Sequence, residues 1–299
     1  MKNKYFLVLF TTLLLVGFGC SPTTPASDTA AKDAAEAVDF QSGSTVIIKQ
    51  TVFGLGGIFA ETVSGDGLAE YQLVVDSFVP ENFVSFAWTS SAKEETAASV
   101  AARETYNSTS HPIGDVAKAP DPIYESITKS GNYSTTALDN GTKILLPAYW
   151  SEGDQSFEDN SIIWLSKEQY ESLVSTKTAT LSLGLFDEKI ASLVGMSDSV
   201  QNALNTLQQK ATDASKSQDI YKLTADKDWQ TYSLLVDGTE KTVQTIQANN
   251  WFGSYVILAN PENPLVLKAT LNPFALGSFD ISSPLSSFLG YEVTEIKSK

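Results

Sequence analysis

Residues 229–248 read WQTYSLLVDGTEKTVQTIQA, and this stretch decides the fold class. Trp229 to Val236 and Lys241 to Ala248 are rich in β-branched and aromatic residues, and apolar side chains alternate with polar ones on both sides of the centre. A period of two is the signature of a strand with one buried and one wet face. The dipeptide between the runs, Asp237-Gly238, suits a two-residue hairpin turn, whose central residues both need a positive φ.

Outward from the hairpin the same signals recur. Phe252 to Ala259, Leu265 to Leu271 and Tyr291 to Ile296 read as strands, the first two parted by Asn260-Pro261-Glu262-Asn263-Pro264. Towards the amino terminus, Thr45 to Val52, Ile58 to Val63, Leu68 to Phe78 and Asn82 to Thr89 are strand-like, with a turn at Gly65-Asp66-Gly67. Tyr133 to Leu138 and Thr142 to Trp150 flank Asp139-Asn140-Gly141 as a further predicted hairpin, and Ser161 to Leu165 and Thr178 to Phe186 complete the strands. Helical signals are short. Ala92 to Glu104 is alanine- and charge-rich, Ser166-x-x-Gln169 opens a capping box, and residues 187–194 and 198–212 place apolar side chains at helical spacing. The fold class expected is mainly antiparallel β, a barrel, half-barrel or sandwich with a few short helices.

At the other extreme of the chain, Lys2 and Lys4 precede an apolar run from Tyr5 to Phe18 that ends in Gly17-Phe18-Gly19-Cys20, and Cys20 is the only cysteine. A basic n-region followed by a run too short to span a bilayer is export-signal architecture. Leu15-Val16-Gly17-Phe18-Gly19-Cys20 resembles the lipobox of bacterial lipoproteins, with Gly19 matching the small residue before the cysteine and Gly17 and Phe18 departing from the usual leucine and small residue. The resemblance implies that residues 1–19 are removed and that Cys20 receives a diacylglycerol. Ser21 stands where the family's inner-membrane retention signal is aspartate, which points to the outer membrane or outer surface. Gly17 and Gly19 equally satisfy the small-x-small rule of ordinary secretion. A lone thiol in an oxidising compartment is a liability that acylation removes, and this favours the lipoprotein reading.

Residues 20–43 are Pro-, Thr-, Ala- and Asp-rich. They read as the lipidated cysteine and a flexible linker that cannot bury enough surface to fold alone. Residues 44–299 read as one β-rich domain, the alternative being a division near 151–161. Removing residues 1–19 takes away two lysines and no acid, which moves the formal charge from −15 to −17. So acidic a surface repels phosphate backbones, so nucleic acid is excluded as a partner. The partners expected are the membrane, through acylated Cys20, and an unknown protein or small ligand.

Catalytic signatures are thin. His111 is the only histidine, no Gly-x-Ser-x-Gly accompanies it, and multi-histidine zinc sites are excluded. Phe53-Gly54-Leu55-Gly56-Gly57 lacks the third glycine and the helix of a dinucleotide loop. Ser126-Ile127-Thr128-Lys129 lacks the partner motifs of a penicillin-binding protein. Glu152, Asp154, Glu158 and Asp159 lack calcium-loop spacing and read as a solvated loop, so no metal or cofactor is expected. The five tryptophans read as core before sugar platforms. The long irregular tract Tyr106 to Ser130 is the candidate ligand-binding loop, with His111, Asp115, Asp121 and Tyr124 as its candidate residues. The function expected is a lipid-anchored, non-enzymatic binding or interaction protein of the bacterial cell envelope. A lipid or lipoprotein carrier with an apolar cavity is the alternative, and a carboxylate-dependent hydrolase is the second.

Overall fold

The computed structural model describes residues 28–51, 69–109, 118–184, 208–272 and 290–299. Helix α1 (Asp28–Glu36) precedes strands β1 (Thr45–Gln50), β2 (Glu70–Val79) and β3 (Phe83–Glu95). Helix α2 (Ala97–Ser108), β4 (Tyr124–Thr135), β5 (Lys143–Ile144) and β6 (Gly153–Phe157) follow. Helix α3 (Lys167–Thr176) leads into β7 (Thr178–Thr180), β8 (Ser182–Leu183) and β9 (Lys222–Ala225). The last strands are β10 (Gln230–Val236), β11 (Thr239–Asn249), β12 (Gly253–Leu258), β13 (Val266–Leu271) and β14 (Gly290–Lys297).

The hairpin at 229–248 forms as its sequence requires. Asp237 and Gly238 both take positive φ, 53° and 72°, and β10 pairs with β11 from Val236↔Thr239 to Gln230↔Thr245. β10 also meets β14 in parallel, Leu235↔Glu295 and Val236↔Ile296. Because β14, β13, β12 and β11 pair in succession, the hydrogen bonding closes on itself in a barrel-like ring. From β14 the same twelve-stranded sheet continues through β1, β2, β3 and β4 to β6, while β9 and β7 extend it beyond β11. The pairings are antiparallel except β10–β14, β4–β6 and the separate β5–β8. Register slips leave Asp76, Leu267 and Thr294 unmatched, and such bulges bend and twist a sheet towards closure.

The inner face is aromatic. Phe86, Trp88, Tyr133 and Trp164 are at most 2% exposed, and Tyr71 and Trp150 nearly as little. The ring of Trp150 lies 5.5 Å from that of Tyr133, 5.6 Å from those of Phe86 and Tyr71, and 5.7 Å from that of Trp88. At these separations the rings touch and fill the middle of the described core with the protein's own side chains. The Trp150 indole N–H donates to the Leu145 carbonyl at 3.0 Å and that of Trp164 to Asn263 Oδ1 at 2.9 Å. The indole N–H of Trp88 has no hydrogen-bond partner among the described residues. It faces the point where β4 and β6 converge, and a Cβ on Gly131 would stand 2.9 Å from that nitrogen and 2.5 Å from the Gly153 carbonyl.

Several expectations need correction. Residues 28–43, read as part of the linker, are folded onto the domain. Ala31 and Ala35 of α1 are fully buried. Asn260 Nδ2 donates to the carbonyls of Ala35 (3.1 Å) and Val38 (2.9 Å), and Asn263 Nδ2 to Val38 (3.2 Å). Phe40 sets its edge against Phe78 and Trp164. These contacts supply the apolar partners and carbonyl caps that the segment lacks on its own. The hairpin predicted across Asp139-Asn140-Gly141 is a turn closed by Gly141 N–H to the Ala137 carbonyl, 2.9 Å, and β5 pairs in parallel with β8 instead. Ile144, Leu145 and Leu146 are all buried, so that run never alternates as a hairpin strand would. Ser161 to Leu165 is likewise buried throughout and makes one isolated bridge, Trp164↔Leu265. Residues 92–95 are strand, and the helix begins only after Thr96. The readings for Phe53 to Gly57, Ile58 to Val63, Gly65-Asp66-Gly67 and residues 187–207 lie outside the described residues. Of the longer helical prediction, residues 208–215 are helical.

Two outcomes follow from this packing. Gly131→Ala forces β4 from β6 and destabilises the fold by about 1–3 kcal/mol in urea unfolding, with Ser126→Ala as an inert control. Burial also raises the phenol pKa of Tyr71, Tyr133, Tyr149, Tyr255 and Tyr291, and pushes that of Tyr170 up to about 12. A raised folded value stabilises fully below the unfolded pKa of 10.0 and is lost as pH climbs towards the folded value. The fully buried Tyr149, Tyr255 and Tyr291 together lower stability by about 4 kcal/mol per pH unit above 10. Circular dichroism and phenolate absorbance should therefore change together in one cooperative alkaline transition, whereas gradual ionisation with the fold intact would contradict the burial.

Candidate functional site

Among the described strands, β3 and β4 outrun the rest of the sheet. They pair continuously from Val84↔Thr135 to Glu95↔Tyr124, but β2 accompanies β3 only as far as Ser91 and β6 accompanies β4 only from Gly131. Beyond those points, among the described strands, Ala92–Glu95 and Tyr124–Lys129 form a two-stranded arm. Its outer end carries α2. Thr96 caps that helix, its Oγ1 accepting from the Ser99 N–H at 3.3 Å. Ser99 Oγ donates to Glu95 Oε1 at 2.6 Å and accepts from the Ile123 N–H at 3.0 Å, while Arg103 Nη1 donates to Glu95 Oε2 at 2.7 Å. The Glu95 carboxylate thus ties helix, arm and returning chain together.

The arm ends in exposed apolar side chains. Ile123 is 64% exposed, Tyr124 44% and Val100 38%; Thr96 brings them to one end of the arm, its N–H bonding the Ile123 carbonyl at 2.8 Å and its carbonyl accepting from the Val100 N–H at 3.0 Å. Folding gains little by leaving such groups in water, and a rimmed apolar patch is the usual mark of an interaction surface. Of the predicted residues, Tyr124 opens β4 on this patch, and Asp121 sits in exposed chain before it, paired with Lys118 at 2.8 Å. Both partners of that pair are wet, so it contributes little. His111 and Asp115 lie outside the described residues. The tract predicted irregular from Tyr106 to Ser130 is helix to Ser108 and strand from Tyr124.

A second constellation was not anticipated. Tyr232 of β10 donates its hydroxyl to Glu292 Oε1, and Lys268 of β13 pairs with Glu292 Oε2 at 3.2 Å. These three strands part company here, so the cluster sits in the fork that closes the ring. Desolvation and the neighbouring carboxylate both raise the Tyr232 pKa. Each of the three polar groups is engaged by another, which suits a latch better than a reaction centre. The residues lie 36 and 24 positions apart in sequence, and only the sheet brings them together.

Within the acidic stretch predicted as a solvated loop, Gly153–Phe157 is strand β6, at the edge of the described sheet and carrying Asp154, while Glu152, Glu158 and Asp159 flank it; all four acids are exposed. Asp154 accepts from Asn132 Nδ2 at 2.8 Å and Asp159 pairs with Lys143 at 2.6 Å. Charges along an edge discourage another chain from adding to it. Among the described residues, no three His, Cys, Asp or Glu are grouped to hold a metal ion. Trp88, Trp150 and Trp164 are core, and Trp229, 39% exposed, has Lys177 Nζ 5.8 Å above its ring. No protein-family model, curated protein or solved structure matches the chain.

Because Glu95 holds α2 to the arm through two hydrogen bonds, Glu95→Ala should loosen the helix locally, by about 1–2 kcal/mol. Hydrogen exchange would then quicken in α2 and at Ile123 while the amides of β12 and β13 stay protected. Equal loss of protection in both regions would show the arm to be an integral part of the core.

Proposed function

We propose that the chain is an exported, non-enzymatic binding protein of the bacterial cell envelope, held to a membrane by acylated Cys20 and recognising its partner through the β3–β4 arm. The observation that carries this reading is the arm itself, a ribbon that ends in Val100, Ile123 and Tyr124, three large apolar side chains left in water. Support for the anchor comes from the lipobox-like Gly17-Phe18-Gly19-Cys20 and from the absence of any second cysteine. Ser21 favours the outer membrane or outer surface. The acidic net charge favours a protein or small ligand over nucleic acid or an anionic lipid surface as the partner of the arm. The touching rings around Trp150 favour binding at the surface over carriage of lipid within this part of the core.

A photo-crosslinking residue at position 124 in living cells should capture an envelope component, and one at position 240, exposed on the opposite wing, should not. Ile123→Glu combined with Tyr124→Glu should then abolish capture from a crosslinker at position 100, with circular dichroism unchanged. Losing such an apolar anchor removes about 2 kcal/mol of binding, roughly thirtyfold in affinity. Cys20→Ser should move the protein from the detergent phase to the aqueous phase. Equal capture at 124 and 240 would overturn the arm, and retention in detergent would overturn the anchor.

A further inference from the structure

Docking of α1 changes how far the domain can stand from its anchor. Seven residues separate Cys20 from Asp28, and twenty-three separate Cys20 from Ser44. Whatever their conformation, seven intervening residues reach at most about 28 Å, against about 85 Å for twenty-three. The hydrogen bonds from Asn260 and Asn263 to the carbonyls of Ala35 and Val38 therefore shorten the leash about threefold.

The same contacts fix which side faces the lipid. Asn260–Asn263 lies between β12 and β13, at the end of the sheet where β3 begins with Phe83 and β14 ends with Lys297, as the registers from β13 to β3 require. The arm leaves from the other end. β3 is thirteen residues long, about 40 Å from end to end. Even with the length of α1 itself added, about 13 Å, the anchor reaches the arm only at full stretch.

We propose that α1 is a docked leash that holds the Asn260–Asn263 end of the domain against the bilayer and presents the arm on the far side. This rests on acylation of Cys20. α1 is nine residues long, too short to persist alone. Its buried side chains, Ala31 and Ala35, are followed by Val38 and Phe40, so the segment is held by packing, α1 lying against β11, and by the asparagine amides. The exposed face carries Lys32, Asp33 and Glu36, with a Lys32–Glu36 pair at 3.6 Å, and gives water no reason to expel it.

The test uses the full chain on vesicles carrying a headgroup dye, with a fluorescent residue at exposed Glu262 or exposed Ser126. Cys20 is acylated in cells or, being the only thiol, coupled to a maleimide lipid. Energy transfer to the dye should be several-fold stronger from position 262 than from position 126. Asn260→Ala with Asn263→Ala should lower the transfer from position 262 towards that from 126. A flexible insertion of about sixteen residues after residue 27, which leaves the fold untouched, should do the same. Equal transfer from both positions in the unaltered chain, or no change on insertion, would overturn the leash. If mass spectrometry finds Cys20 unmodified in cells, the anchor of the proposed function falls, while the maleimide-lipid protein still reads the geometry.

Discussion

The constraint on which the rest of the structure depends is the pairing of β14. This strand, Gly290–Lys297, is bonded to β1 along its length, to β13 at one end and, in parallel, to β10 at the other. It joins the wing built from the first strands to the ring built from the last. Without it, among the described strands, β1 has only β2, β10 has only β11, and the sheet falls into two pieces that each leave an apolar face open. Tyr232, Lys268 and Glu292 converge where those three strands meet, so the polar cluster secures the joint on the outer side while Val293 and Ile296 bury beneath it. A fold that closes through its last strand gains its longest-range contacts late, because loop closure must precede the contacts that stabilise it.

What the sequence made legible is what local chemistry decides. The β10–β11 hairpin was readable because a two-residue turn demands positive φ at both centres and Asp237-Gly238 supplies it. The cap of α3 was readable for the same reason: Ser166 and Gln169 reach each other across a single turn. The parallel contacts were not readable, since nothing local to β6 or β14 names β4 or β10 as a neighbour. Runs buried on every side, Ile144 to Leu146 and Ile162 to Leu165, carry no alternation by which a strand and its faces could be told. The linker was misread for a related reason. Composition shows that residues 28–38 cannot fold alone, and it is silent about a surface elsewhere in the chain, Asn260 and Asn263, that caps them.

The candidate site divides in the same way. Length and irregular composition single out the tract containing His111, Asp115, Asp121 and Tyr124; exposed Ile123 and Tyr124 belong to it, and His111 and Asp115 lie outside the described residues. The residues that shape it went unnoticed, although Glu95, Ser99 and Arg103 stand four apart, the spacing at which side chains on one helix face meet. The signal was obscured because Glu95 belongs to the strand, one residue before the cap. The fork at Glu292 left no such trace.

The distribution of polar groups supports the binding role proposed for the arm. Tyrosine hydroxyls inside the fold are engaged by the protein itself: Tyr291 Oη donates to the Val266 carbonyl at 2.9 Å and Tyr133 Oη to that of Ser151 at 3.0 Å, Tyr255 Oη donates to Asn250 Oδ1 at 3.4 Å, and Tyr71 Oη accepts from Gln50 Nε2 at 3.2 Å. Among the described residues the acids lie outside, on the β6 edge, on α1 and along the arm, where they keep a lysine-poor chain soluble and its edges unpaired. Within that charged exterior the apolar group of Val100, Ile123 and Tyr124 is held in place by a carboxylate that is 18% exposed and doubly bonded. A side chain such as Glu95 loses hydration and rotamer freedom to brace the arm. Held in this way the patch keeps one shape, which the proposed recognition would require.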